Sequence, residues 1–251
     1  CNLVIGISGG LDSTLALIAA SEAKKLVPEI HIICYTMPNR GNTTDYTKDS
    51  ALTLMKNLDV EIREVPIEES VKMHLKDIGH PQEYLGDSDT AYENAQARMR
   101  TYILMDAANM ENGLVVGTGD LSELALGWCT YNGDHMSMYG VNCSIPKTLV
   151  KYLVTAYADT CENQQLHDVL HRIAETPITP ELTPADNNQI QQKTEDKIGP
   201  YELHDFFIYH FLRFGFRPKK LYFLAQEAYH GKYDDATIKK WLGVFLKRFF
   251  Q

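Results

Sequence analysis

The stretch Leu3–Leu17, Leu-Val-Ile-Gly-Ile-Ser-Gly-Gly-Leu-Asp-Ser-Thr-Leu-Ala-Leu, constrains the fold more than any other part of the chain. Leu3 to Ile7 is a short apolar run, Ser8 to Ser13 is small and polar, and Leu15 to Ala20 is apolar again. That order predicts a buried strand, a tight turn and the start of a buried helix. Gly9 and Gly10 accept positive φ and carry no Cβ, so successive backbone N–H groups can converge on one point. The point lies at a helix N-terminus, where orphan N–H groups and the helix dipole favour an anion. The hydroxyls of Ser8, Ser13 and Thr14 add donors, and Asp12 can hold a cation that the anion's oxygens share. A glycine turn with no ligand is the simpler reading of the same residues.

No Gly-Lys-Ser/Thr closes this loop, so it is not the Walker form. It resembles instead the Ser-Gly-Gly-x-Asp-Ser signature of the PP-loop ATP pyrophosphatases, carried here by Ser8, Gly9, Gly10, Asp12 and Ser13. That resemblance implies cleavage of ATP between its α and β phosphates, with AMP passed to a carboxylate or carbonyl oxygen.

Beyond the first helix, Ile30–Tyr35 reads as a strand, Ser50–Leu58 as a helix, Val60–Pro66 as a strand and Gly113–Val116 as another. Strands alternating with helices predict an α/β fold, a doubly wound and mainly parallel sheet, with a helical part formed by Gly199–Gln251. Ligands of such sheets lie at the carboxyl ends of the strands, near the switch in strand order. Met37–Thr44 falls at that edge, as a contact to a nucleotide base or as a plain connector. At 251 residues the chain is long enough for one large domain.

Tyr84–Thr90 is polar and loop-like. From Thr90 a helical spacing runs through Ala95, Met99, Ile103, Ala107 and Met110. Asn94 and Arg98 share one face and Gln96 and Arg100 another, which in isolation reads as a solvated polar surface. Gly117-Thr-Gly-Asp-Leu-Ser-Glu follows the fourth strand. Ser122 is placed to cap a short helix, with Glu123 in its first turn, where the dipole favours a carboxylate. The same placement lets Glu123 face Asp12 across the cleft, and two hard oxygen ligands are how Mg²⁺ is commonly held. Asn132–Ser144, with Asp134, His135 and Asn142, has no periodicity and the length of a functional loop. Pro146 opens the next helix with Lys147 in its first turn, an unfavourable place for a cation, so another partner for Lys147 is expected, namely a polyphosphate. Thr176–Asp196, with three prolines, reads as a mobile surface loop. In the tail, Ile238, Trp241, Leu242, Phe245, Leu246 and Phe249 repeat as a core or subunit-interface stripe.

Together these runs look like the NAD synthetase family within the PP-loop group. The match covers Gly6–Ser13, Glu93–Arg100, Val116–Tyr131, Gly133–Ser144 with Pro146 and Lys147, and Lys193–Phe207. The wording is most similar to the synthetase domain of the glutamine-dependent type. The resemblance implies that a carboxylate of deamido-NAD attacks the α-phosphate of ATP, and that ammonia then displaces AMP to give NAD. It also implies ATP contacts from Gly6, Ile7, Ser8, Gly9, Gly10, Leu11, Asp12, Ser13, Thr118 and Lys147. Asn94, Glu123, Trp128, Cys129, Thr130 and Tyr131 would line the deamido-NAD pocket, and Asp12 and Glu123 would ligate Mg²⁺. Asp12, Glu123 and Lys147 would carry the chemistry. Residues 1–251 are then expected to be one synthetase domain, a fragment without an N-terminal nitrilase-like glutaminase domain and a C-terminal basic segment. A homodimer or higher homo-oligomer follows by the same analogy.

A net charge of −9 with no basic cluster argues against a nucleic-acid partner, and hence against the tRNA-modifying PP-loop enzymes. A GMP synthetase-like enzyme is a poorer match, because that family lacks the Gly-Thr-Gly-Asp-Leu-Ser-Glu run. A non-catalytic nucleotide-binding domain would be expected to have lost Asp12 or Glu123. No apolar run approaches the roughly 18 residues that span a membrane. The five cysteines include no C-x-x-C pair, so reduced thiols and a cytoplasmic location are expected.

Overall fold

The computed structural model describes residues 2–39, 45–81, 89–133, 135–177 and 194–251. Among these, the strands β1 (Asn2–Gly6), β2 (His31–Thr36), β3 (Glu61–Glu64), β4 (Gly113–Gly117) and β5 (Tyr139–Gly140) form one sheet in the order β3-β2-β1-β4-β5. Every pairing is parallel, with Val4 opposite both Ile33 and Val115, and Ile5 opposite both Cys34 and Val116. The doubly wound expectation therefore holds. β1 is where the strand order reverses, so the ends of β1 and β4 diverge around a crevice.

The period-two alternation of side chains sorts the strand residues between two cores. Ile5, Ile32, Cys34 and Val116 face one side, where α1 (Leu11–Leu26), α2 (Asp45–Lys56), α6 (Lys147–Asp159) and α7 (Gln164–Glu175) pack. Val4, Ile33, Tyr35 and Val115 face the other, under α3 (Glu68–Asp77) and α4 (Thr90–Met110). Burial on both faces explains why these strands read as continuous apolar runs. A third core joins α5 (Leu121–Leu126) to α9 (Tyr201–Phe214), α10 (Pro218–Ala228) and α11 (Asp235–Phe249). In it Ile238, Leu242 and Phe245 are buried, so the tail stripe is core.

Four local expectations change. The aperiodic Asn132–Ser144 contains the short edge strand β5. Thr194–Ile198 forms the short helix α8, which overlaps the end of the stretch read as a loop, while positions 178–193 lie outside the described residues. The short helix α5 is capped by Asp120, whose side chain accepts from Glu123 N, and not by Ser122. Gln96 is fully buried, accepting from Asn39 Nδ2 at 2.7 Å, so its face of α4 is not solvated. Positions 40–44, 82–88 and 134 also lie outside the described residues, and with them most of the Met37–Thr44 connector, most of the Tyr84–Thr90 loop and Asp134.

Candidate functional site

The turn between β1 and α1 forms as its small residues require. Gly9 has φ +92°, and a Cβ there would meet Thr47 O at 2.5 Å. Gly10 caps α1 from an extended conformation, and among the described residues no side chain bonds the first N–H groups of α1. The helix thus presents orphan donors to the crevice. Ser8 Oγ accepts from Gly10 N at 3.2 Å and lies 3.2 Å from Ser13 Oγ. Thr14 differs from expectation: it is fully buried and its hydroxyl donates to Gly10 O at 2.8 Å. Gly9→Ala is expected to lower stability by at least about 2 kcal/mol, from positive-φ strain and the backbone clash together. Urea denaturation checks it, and an unaltered midpoint would contradict the close approach to Thr47.

β1 and β4 together open a cleft of about 660 Å³. Gly6, Ile7, Ser8, Asp12 and Ser13 line it from the first turn, Thr118 and Glu123 from the segment after β4, and Asn94 from α4. Trp128, Cys129, Thr130 and Tyr131 line it as well. Of the remaining expected site residues, Gly9 and Leu11 are buried beneath the turn, and Leu11 packs into the first core. Asn142 ties the two sides together, donating from Nδ2 to Asp12 O at 2.9 Å and to Thr118 O at 3.1 Å. Arg100 lines the cleft and donates to Met37 O at 3.2 Å, whereas Arg98 points to solvent.

Lys147 lies buried behind the cleft wall, against two carboxylates that line it, Asp12 and Glu123. Its Nζ lies 2.7 Å from Asp12 Oδ2, 2.6 Å from Asp120 Oδ2 and 2.8 Å from Glu123 Oε1. Lys147 is only 1% exposed and Asp120 is fully buried. Burial pushes the Asp12 carboxyl up to about 6, against the opposing pull of Lys147. Burial and then the Asp12 charge push Glu123 to about 8. Burial works against the Lys147 ammonium, but Asp12, Glu123 and Asp120 hold its pKa well above the ordinary value. Within the chain Lys147 is thus partnered by three carboxylates, where the expectation named a polyphosphate.

The misplacement of a cation at the start of α6 is offset from outside the helix. Asp205 of α9 accepts from Thr148 N at 2.8 Å and from Ser122 Oγ, and Ser122 Oγ accepts from Lys147 N at 2.9 Å. A buried carboxylate thus caps α6 in place of Pro146, which has no capping side chain.

Sequence reasoning passed over Asp120, Asp205, Lys197 and Arg248. The last two line the cleft, and the Arg248 guanidinium lies over the Trp128 ring, 5.1 Å from its centroid. Asp120 carried a signal, as a residue of cap type before a short helix. Arg248 carried none, since it reaches the cleft from the C-terminal helix through tertiary packing alone.

A family model described as NAD synthase matches residues 1–214. The glutamine-dependent NAD(+) synthetase of Mycobacterium leprae (strain TN) is 42% identical over 269 residues. That alignment takes in 99% of this chain and 39% of the relative, so the chain spans about two fifths of the relative's length. Among solved structures, the NMN synthetase of Francisella tularensis superposes with a TM-score of 0.63 at 24% identity, over 92% of this chain and 87% of that one. The glutamine-dependent NAD+ synthetase of Acinetobacter baumannii, solved with ADP, gives 0.58 at 20% identity, over 99% and 41%. At these identities the two structures bear on the fold alone.

Proposed function

The chain belongs to the NAD synthase family, and on that premise we propose that it is an ATP-dependent ligase that amidates deamido-NAD to NAD. The observation that carries the reading is the meeting of an uncapped helix N-terminus, three carboxylates and a lysine at one end of a large cleft. In it, Gly6 to Ser13 hold the phosphates of ATP through backbone N–H groups, and Thr118 contacts the same nucleotide. Lys147, already among the carboxylates, is placed to meet phosphate oxygens beside Asp12. Asn94, Glu123 and Trp128 to Tyr131 line the deamido-NAD end, where the Trp128 ring offers a face for the nicotinate.

The donor set fits Mg²⁺. Asp12, Asp120 and Glu123 offer carboxylate oxygens within 4.8 Å of one another, and Asp12 Oδ1 is buried with no hydrogen-bond partner among the described residues. Hard, all-oxygen donors are what that ion selects. When bound, it supplies charge neutralisation for the polyphosphate.

The chemistry needs two displacements. A nicotinate carboxylate oxygen bonds to the α-phosphorus of ATP while the bond to the β-phosphate oxygen breaks and pyrophosphate leaves. Ammonia then bonds to the activated carbonyl carbon, the carbon–oxygen bond to AMP breaks, and a proton is released with the amide. A carboxylate is a poor acyl donor at neutral pH, and adenylation makes its oxygen a leaving group. The chain's task is to hold two polyanions together, which backbone N–H groups and Lys147 serve electrostatically. We place the source of ammonia in a glutaminase domain, as the relative's name implies, read residues 1–251 as one synthetase unit, and expect a homo-oligomer. We assign the chain a cytoplasmic setting. Among the described residues no helix is long and apolar enough to cross a membrane.

The test is pyrophosphate release from ATP and Mg²⁺ in ammonium buffer. The expected result is release that requires deamido-NAD and yields NAD. Release stimulated instead by nicotinate mononucleotide would move the substrate assignment. ATP bound without turnover in either case would favour a non-catalytic nucleotide-binding domain.

A further inference from the structure

At the end of α6 remote from the cleft, the structure gathers a second set of metal-ligating side chains. Asp159 is the last residue of α6, about 18 Å along the helix from Lys147. His167 and His171 sit four residues apart on α7, so both imidazoles leave one face of that helix. One ligand atom from each of Asp159, His167 and His171 lies within 4.8 Å of the other two. His171 Nε2 is 3.0 Å from Asp159 Oδ1, and the two imidazole centroids are 4.5 Å apart.

A fourth residue organises the set. Asp168 Oδ1 lies 2.9 Å from His167 Nδ1, and Gln164 Nε2 donates to the same oxygen at 2.6 Å. A carboxylate on one ring nitrogen makes that nitrogen the N–H bearer and leaves the lone pair on the other. This is the outer arrangement that orients metal-bound histidines. The helices beneath are fixed, since Val154, Ala158, Val169, Leu170 and Ile173 are all buried in the shared core. The three side chains reach solvent, with His171 at 31% and Asp159 at 63% exposure, which leaves room for water to complete a coordination shell.

We propose that Asp159, His167 and His171 form a site for a divalent d-block cation, Zn²⁺ above all, that clips the end of α6 to α7. Two imidazoles and one carboxylate suit zinc, whereas magnesium selects oxygen donors. The site is therefore chemically separate from the carboxylate cluster of the cleft. Bound metal replaces the weak His171–Asp159 contact with a three-point link between helices, and stabilises the fold by mass action.

The experiment titrates Zn²⁺, and Co²⁺ as its coloured surrogate, into the chain with excess Mg²⁺ present. One saturable equivalent is expected, with a Co²⁺ ligand-field band and a raised thermal midpoint. His167→Ala and His171→Ala each weaken binding at least 100-fold, Asp168→Asn weakens it about tenfold, and Asp12→Asn leaves the band in place. Circular dichroism confirms that the variants fold, and Asp159→Asn gives an independent removal of the carboxylate. A band that survives both histidine substitutions, a band lost with Asp12→Asn, or no saturable binding in the micromolar range would each overturn the proposal.

Discussion

Lys147→Met is expected to cost the chain about 3–5 kcal/mol of stability at pH 8, because it removes one partner of a buried ion cluster and leaves the others uncompensated. Methionine keeps most of the side-chain volume, so packing contributes little to the loss. What remains is three carboxylates, with ligand atoms within 4.8 Å of one another, that have lost the ammonium they share. The cost should depend on pH, and the direction follows from proton binding. Even with Lys147 present, Asp12 rises from 3.8 to about 6 and Glu123 from 4.5 to about 8, chiefly through burial. Raised carboxyls bind more protons in the folded than in the unfolded chain, so this cluster's contribution to stability falls as pH rises from about 4 to 8. Removing the ammonium raises them further and steepens that fall. Urea denaturation at pH 5 and pH 8 should therefore show a small loss at the lower pH and the full loss at the higher. An equal loss at both would mean that Lys147 acts through packing. No loss at either would mean that the cluster is better hydrated than its burial indicates.

The parts of the fold set by local pattern were legible in the sequence. The apolar runs of β1, β2 and β4 alternate between two cores, and each run was recognisable because both faces are covered. The start of α4 at Thr90 was legible from periodicity, and Asp89 supplies the cap. What tertiary packing decides was not legible. β5 is a two-residue edge strand, held by pairing with Val116 and Gly117 and by no pattern of its own. The solvated reading of Gln96 failed because Asn39, far away in sequence, satisfies its carboxamide inside the core. In the cleft, local chemistry pointed to Asp12 and Glu123, and the oddity of Lys147 at a helix start pointed to a missing partner. The identity of that partner required the fold. Asp120 meets Lys147 only because α5 and α6 begin side by side, where Ser122 Oγ receives the first N–H of α6. Asp205 enters from α9 to cap a helix that begins more than fifty residues earlier, a relation invisible to any window of sequence.

Asp12→Asn should separate function from stability in the opposite sense to Lys147→Met. The proposed chemistry asks Asp12 to act as an anion beside the phosphates, so deamido-NAD-dependent pyrophosphate release should fall about 10²–10³-fold, the range for loss of one electrostatic stabiliser in a closed site. The fold should not suffer with it. Ionising Asp12 at pH 8 is costly in the native chain, since burial holds its carboxyl near 6. An amide of the same shape escapes that cost and relieves the repulsion on Glu123, at the expense of weakening one of the three contacts to Lys147. The balance is a gain of about 1–2 kcal/mol at pH 8 that shrinks toward pH 5, where the native carboxyl is already protonated. A residue that lowers stability where it stands, and is kept there for its charge, is a mark of a working site. Thermal midpoints across this pH range, read beside the pyrophosphate assay, give the decision. If Asp12→Asn loses activity and stability together, its charge serves the fold, and the assignment of Asp12 to the phosphates fails.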